Sequence, residues 1–112
     1  HQPQDPAWSP DSREIAYIRL LSLVVIDRDG KEVQELSLAG LSNVSSTQFH
    51  PLDSDLIIIK AREAQDLFEG FNLYVVSRSA NACAVLRESS LTEMFHEISP
   101  DGQSIAFSAP LQ

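Results

Sequence analysis

Trp8-Ser9-Pro10-Asp11-Ser12-Arg13-Glu14-Ile15-Ala16-Tyr17 returns, little altered, as Ile98-Ser99-Pro100-Asp101-Gly102-Gln103-Ser104-Ile105-Ala106-Phe107. Between them lies a looser copy, Phe49-His50-Pro51-Leu52-Asp53-Ser54-Asp55-Leu56-Ile57-Ile58. In each copy an apolar residue stands two positions before the proline, and an apolar run begins five positions after it, at Ile15, Leu56 and Ile105. Proline supplies the φ near −65° that the second position of a tight turn requires. Each copy therefore reads as strand, corner, strand.

Pro10, Pro51 and Pro100 are 41 and 49 residues apart. A second alignment supports the first. Leu23-Val24-Val25-Ile26-Asp27-Arg28-Asp29-Gly30 matches Leu73-Tyr74-Val75-Val76-Ser77-Arg78-Ser79-Ala80 at an offset of 50, which also pairs Val33 with Cys83 and Leu36 with Leu86. The offsets 41 and 50 imply a nine-residue insertion in the second unit, between Lys60 and Asn72. Ile15–Ile18, Leu23–Ile26, Leu56–Ile59 and Leu73–Val76 are nearly continuous apolar runs, the pattern of strands covered on both faces. Asp29-Gly30 signals a type I′ hairpin turn. The spacing predicts four strands per unit: 6–9, 14–19, 22–27 and 32–38, then 46–49, 55–60, 72–77 and 82–87, with a third unit opening at 94–98 and 103–108. Four-stranded units recurring every 40–50 residues are the blades of a propeller. The expected fold is all-β: a partial β-propeller of four-stranded antiparallel blades. About two and a half blades are expected, at about 6–38, about 46–87 with the insertion near 61–70, and about 94–108.

The Ser-Pro-Asp corners, Ile15-Ala16-Tyr17, Leu23-Val24-Val25-Ile26-Asp27 and Asp29-Gly30 resemble one repeat of TolB-like propellers. Ile98-Ser99-Pro100-Asp101-Gly102 with Ile105-Ala106-Phe107 resembles the start of another. The resemblance implies a noncatalytic scaffold that recognises a protein or a small ligand, in the bacterial periplasm or secreted. Similar repeats also occur in propellers attached to serine peptidases. His50-Pro51-Leu52-Asp53 followed by His96-Glu97-Ile98-Ser99-Pro100-Asp101-Gly102 is similar to oligogalacturonate lyases, which bind a divalent metal such as manganese through channel histidines and cleave uronate polymers. This chain has Lys60-Ala61-Arg62-Glu63 where that family places a His-Glu pair. Open apolar faces are expected on the terminal blades, to be closed by the rest of a longer chain or by self-association. The start, His1-Gln2-Pro3, fits a processed or partial chain.

His96-Glu97 falls at the start of an innermost strand, which lines the channel of a propeller. His50 is the other histidine in a repeat motif. His96 stands four residues before its proline and His50 one, a difference of about 10 Å along a strand. Ligands of one ion lie at about 2.1 Å from it. The spacing thus favours a turn role for His50 and a channel role for His96 over a shared metal. In the insertion, Ala61, Ala64, Leu67 and Phe68 recur at helical spacing and Gly70 stands ready to end the turn. A short helix there would present Leu67 and Phe68 to a partner. His96, Glu97, Leu67 and Phe68 are the recognition candidates. Asp11 falls in a different turn from Asp27 and Asp29, and the three suggest no calcium site.

Composition excludes several classes. The 112 residues carry 8 basic and 16 acidic side chains, a net charge of −8. Nucleic acids and anionic membranes select clustered Lys and Arg, so neither is an expected partner. The acidic balance is compatible with a cationic ligand, a metal ion or a basic protein; the resemblance implies a protein, a small ligand or an oligosaccharide as partner. Cys83 is the single cysteine, so no intrachain disulfide forms, and its setting in Ala82-Cys83-Ala84-Val85 predicts a packed small hydrophobe. No apolar run is long enough to span a membrane. No nucleophile elbow, phosphate loop or zinc-spaced Cys/His set is present, and no catalytic residue or cofactor is assigned.

Overall fold

The computed structural model describes residues 4–63, 72–87 and 95–108, and every regular element among them is a β-strand. Strands β1 (Gln4–Trp8), β2 (Glu14–Arg19), β3 (Ser22–Asp27) and β4 (Glu32–Ser37) form an antiparallel meander. Strands β5 (Leu41–His50), β6 (Asp53–Glu63), β7 (Asn72–Ser77) and β8 (Ala82–Arg87) repeat it. Strands β9 (Phe95–Ile98) and β10 (Ile105–Ser108) open a third sheet. Strand β5 lies against both β1 and β9, so the first strands of successive sheets converge on one side. This is a partial propeller of two and a half blades with its inner edge at β1, β5 and β9.

The blades are held by facing apolar layers. Ala16, Ile18, Leu23, Val25 and Leu36 of blade 1 share a buried cluster with Phe49, Ile57, Ile59, Tyr74 and Val76 of blade 2. On the far side of blade 2, Ile58 and Leu73 meet Ile98 of blade 3. The middle strands of blade 2, β6 and β7, are covered on both faces, which is why Leu56–Ile59 is an unbroken apolar run. Each such side chain contributes about 1.5–3 kcal/mol when fully buried.

Pro10, Pro51 and Pro100 all sit in the turn between the first and second strands of their sheets. The strand equivalences differ from the sequence alignment by one residue. Trp8 pairs with Ile15 and Ile98 with Ile105, but Phe49 pairs with Ile57, not Leu56. The middle corner is one residue longer. The offset from β2 to β6 is therefore 42, as from Ile15 to Ile57, and the insertion is eight residues, not nine. The slip has a physical reason. Side chains alternate between faces, so a one-residue shift exchanges them all. Leu56 at the Ile15 position would turn Lys60 toward blade 1, where the fully buried Ala61 now stands.

Three other local expectations change. Strand β5 starts at Leu41 rather than near residue 46 and carries two bulges, with Asn43 (φ 52°) and Ser46 (φ 58°) in the left-handed region. At Asp29-Gly30 only Gly30 has positive φ, and its N–H donates to the Asp27 carbonyl. That is a three-residue loop with a glycine bulge, not a type I′ turn. Strand β6 continues through Glu63, so Ala61 belongs to the core and not to a helix. Residues 64–71, including Leu67 and Phe68, lie outside the described residues.

Candidate functional site

Within one blade the first and third turns lie at the same end of the sheet. The proline corners and the turns after β3 and β7 therefore share one face of the propeller, and the strand ends at Glu63 and Asn72 lie on the other. Among the described residues, the proline-corner face carries the most organised polar chemistry.

In blade 1 the Ser9 hydroxyl donates to Asp11 Oδ1 at 2.6 Å and accepts the Glu14 N–H at 3.0 Å. Asp11 Oδ1 also accepts the Arg13 N–H at 3.0 Å, and the Ser12 N–H closes the turn on the Ser9 carbonyl. Blade 3 reproduces each bond 90 residues on, with Ser99, Asp101, Gly102, Gln103 and Ser104 in the same roles. The Ser-Pro-Asp motif is thus a closed hydrogen-bond unit in which proline sets φ and serine ties the aspartate to the next strand. The Ser9 and Ser99 hydroxyls hold the Asp11 and Asp101 carboxyls below the ordinary aspartate value, helped by the backbone N–H groups.

The blade 2 corner is built differently. Leu52 N–H donates to His50 Nδ1 at 3.1 Å, which makes Nδ1 an acceptor and leaves Nε2 to carry the proton. Nε2 then donates to the Gly102 carbonyl of blade 3 at 3.2 Å. The ring covers Gly102 so closely that a Cβ there would stand 2.3 Å from His50 Cε1. His50 is therefore a bridge between corners, and to ligate a metal it would have to release one of these bonds. His96 is paired through its backbone with Phe107, three residues before the position in blade 3 that matches His50. Glu97 pairs with Ala106. The structure does not bring His50 and His96 to equivalent sites, and no group of three or more metal-ligating side chains occurs among the described residues.

Residues that the sequence reading did not single out make the junction of blades 1 and 2. Arg78, at the end of β7, sends Nη1 to Glu14 Oε1 at 2.8 Å and Nη2 to Glu14 Oε2 at 3.2 Å. Its Nε donates to Gln34 Oε1 at 2.8 Å, and Gln34 Nε2 returns a bond to the Arg78 carbonyl. Planar guanidinium suits this forked contact. Beside it, Asp55 accepts the Ser79 N–H at 2.7 Å and the hydroxyls of Ser77 and Ser79, so its carboxyl lies below the usual range. Gln34, Asp53, Ser54, Asp55, Arg78 and Ser79 line an open depression of about 440 Å³. Asp53 is exposed and spends one oxygen on the Asp55 N–H, which leaves acceptor capacity toward solvent. The sequence held one sign of this site: Arg28 and Arg78 occupy the same place in the two repeats.

Cys83 is exposed, not packed, because its place near the start of β8 lies at the outer edge of blade 2. Partial desolvation by its neighbours nonetheless pushes its thiol pKa up. No helix among the described residues is long and apolar enough to cross a membrane.

The architecture is that of a β-propeller segment built from Ser-Pro-Asp corners. Its fold is TolB-like: it superposes on the crystal structure of TolB from Acinetobacter baumannii with a TM-score of 0.73, at 20% sequence identity and over 96% of this chain. The chain spans 27% of the length of that TolB. No family model matches the chain, and no curated protein matches it in sequence.

Proposed function

We propose that the chain is a noncatalytic part of a TolB-like propeller that serves as a recognition scaffold for a protein or a small polar ligand, in the bacterial periplasm or outside the cell. The observation that carries this reading is the depression astride the junction of blades 1 and 2. Its walls come from both blades, and the Arg78–Glu14–Gln34 bonds hold them in one geometry before any ligand arrives. A rigid polar site of this kind lowers the ordering cost of binding. The acidic balance of the chain and the exposed Asp53 favour a ligand with donor or cationic groups. Glu97 and His96 on the inner strand, and Leu67 and Phe68 in the insertion, are further proposed contacts.

The test is site-specific photocrosslinking in bacterial cells. A benzophenone side chain at Ser54 or at Ser79 is expected to capture the same discrete partner, and Glu32 on the outer strand none. Replacing Leu67 and Phe68 by Ser separates the two faces: a partner seated across both loses its adduct, and one confined to the corner face keeps it. Absence of any adduct from Ser54 and Ser79 counts against the scaffold. Manganese-dependent release of unsaturated uronate from polygalacturonate would replace it with a lyase.

A further inference from the structure

The two-residue link between β2 and β3 consists of Leu20 and Leu21, at the end of blade 1 away from the proline corner. Leu20 stands at φ 57° and is 69% exposed, and Leu21 is 49% exposed. Arg19 and Ser22 pair directly across the link, and of its two residues only the first has positive φ, a place that hairpins give to glycine. A leucine there carries backbone strain, and its exposed side chain gains little from the core in return. The tip is nevertheless braced. Leu38 N–H donates to the Leu21 carbonyl at 2.7 Å, and the Leu38 side chain is buried. In the second repeat, the connection between the same two strands also carries adjacent large apolar residues in its sequence, Leu67-Phe68. The charge beside the tip is negative. Arg19 Nη2 contacts Glu35 at 3.1 Å and Glu32 at 3.3 Å, so one cation faces two carboxylates.

We propose that the Leu20-Leu21 tip anchors a partner protein, which receives the two leucines in an apolar pocket rimmed by Lys or Arg. Asparagine or glycine would hold this turn with less strain, so the leucine is explained by what its side chain meets outside this chain. A tip already braced by Leu38 loses little freedom on binding. The charge decides the kind of partner. An anionic membrane surface draws an apolar anchor that has spare Lys or Arg beside it. Arg19, the cation adjoining this tip, is offset twice over. The surplus carboxylate instead favours a basic rim around the pocket. The tip lies on the face away from the corner depression, so the inference goes beyond the recognition site proposed above and does not rest on it. Ser54 and Ser79 report on that site, and the tip reports on this one.

Photocrosslinking in bacterial cells tests it, with a benzophenone side chain at the exposed Ala39, which follows Leu38 and leaves both leucines in place. The expected result is an adduct with one protein, at a peptide of that protein in which apolar residues are flanked by Lys or Arg. Capture alone does not support the proposal; the chemistry of the captured peptide and its response to two substitutions do. At low expression, Leu20→Asn should cut the adduct roughly ten-fold, the scale of losing a leucine from an apolar pocket. The same substitution should raise the thermal midpoint of the purified chain, since it relieves the strain at φ 57°. A merely structural leucine would not couple higher stability to lost capture. Glu35→Lys, at an exposed position, should weaken the adduct as well, by turning a carboxylate into a cation facing the basic rim. Any of four results overturns the proposal. They are absence of an adduct, an adduct with phospholipid, with a second copy or within the same polypeptide, a captured peptide that is acidic or wholly polar, and an adduct indifferent to either substitution.

Discussion

Gly102 stands in the left-handed region at φ 72° under the His50 ring, so it answers two demands at once. Gly102→Ala is expected to cost about 1–3 kcal/mol, from backbone strain plus the displaced imidazole. His50→Ala alone should cost about 1 kcal/mol for its lost bonds. The pair together should cost less than their sum, because removing the ring makes room for the methyl group. Urea unfolding of the four proteins checks this. Leu20 makes the opposite case. It is 69% exposed and held at φ 57° in the two-residue link between β2 and β3. Leu20→Asn should stabilise the protein by about 1 kcal/mol, since it removes strain and gives up little burial. Asp11 and Asp101 tie stability to acid. Their folded pKa values are depressed, so their contribution is complete above the unfolded value of about 3.9 and is lost as pH falls through the lower folded values. Asp11→Asn with Asp101→Asn should therefore weaken the protein at neutral pH and flatten its loss of stability below about pH 4. Circular dichroism during acid titration shows either outcome.

Strand order and the double-sided burial of β6 and β7 were legible in the apolar runs, because continuous Val, Ile and Leu at strand length has one economical explanation; in β2 and β3 the same runs leave Ile15, Tyr17 and Ile26 half-buried. The register of β6 was not legible. Proline marked where the corner begins, but His50 and Asp53 close that corner with different bonds from those of Ser9 and Ser99, and one more residue fits inside it. Apolar residues on both sides of the slip, Leu56 through Ile59, hid the difference. The structure predicts unequal costs. Ile57→Ala removes a fully buried side chain between blades and should cost about 2–5 kcal/mol. Leu56→Ala, at a half-buried position beside the corner, should cost much less. The sequence register predicts the reverse order, and thermal melts of the two variants decide between them. The bulges of β5 were equally hidden, since Ser42–Gln48 offers neither glycine nor proline to mark them.

At the scale of the molecule, the repeat announced a propeller, while the junction site stayed out of view. Glu14, Gln34 and Arg78 lie far apart along the chain, and only the stacking of two sheets brings them together. Arg78→Ala should cost about 2 kcal/mol, the scale of hydrogen bonds to a charged group in a part-buried setting. It should combine with Glu14→Gln less than additively. Its denaturant slope should stay at the parental value, because the apolar layer between the blades persists. A steeper or shallower slope would show that the ion pair governs how the two sheets come apart.

One detail of blade 2 reaches beyond folding. Strand β6 runs two residues past the last rung it shares with β7 that blade 1 also has, and those two, Arg62 and Glu63, are held there by Ser42 and Leu41 of β5. Strand β6 thus ends on a hydrogen-bonded ledge at Glu63, not on a bare sheet edge. A foreign peptide spliced between Glu63 and Asn72 would inherit that footing and hang clear of the corner face, where the polar depression lies. The chain therefore offers evolution, or an engineer, a spot for new cargo whose exchange leaves the opposite face unaltered.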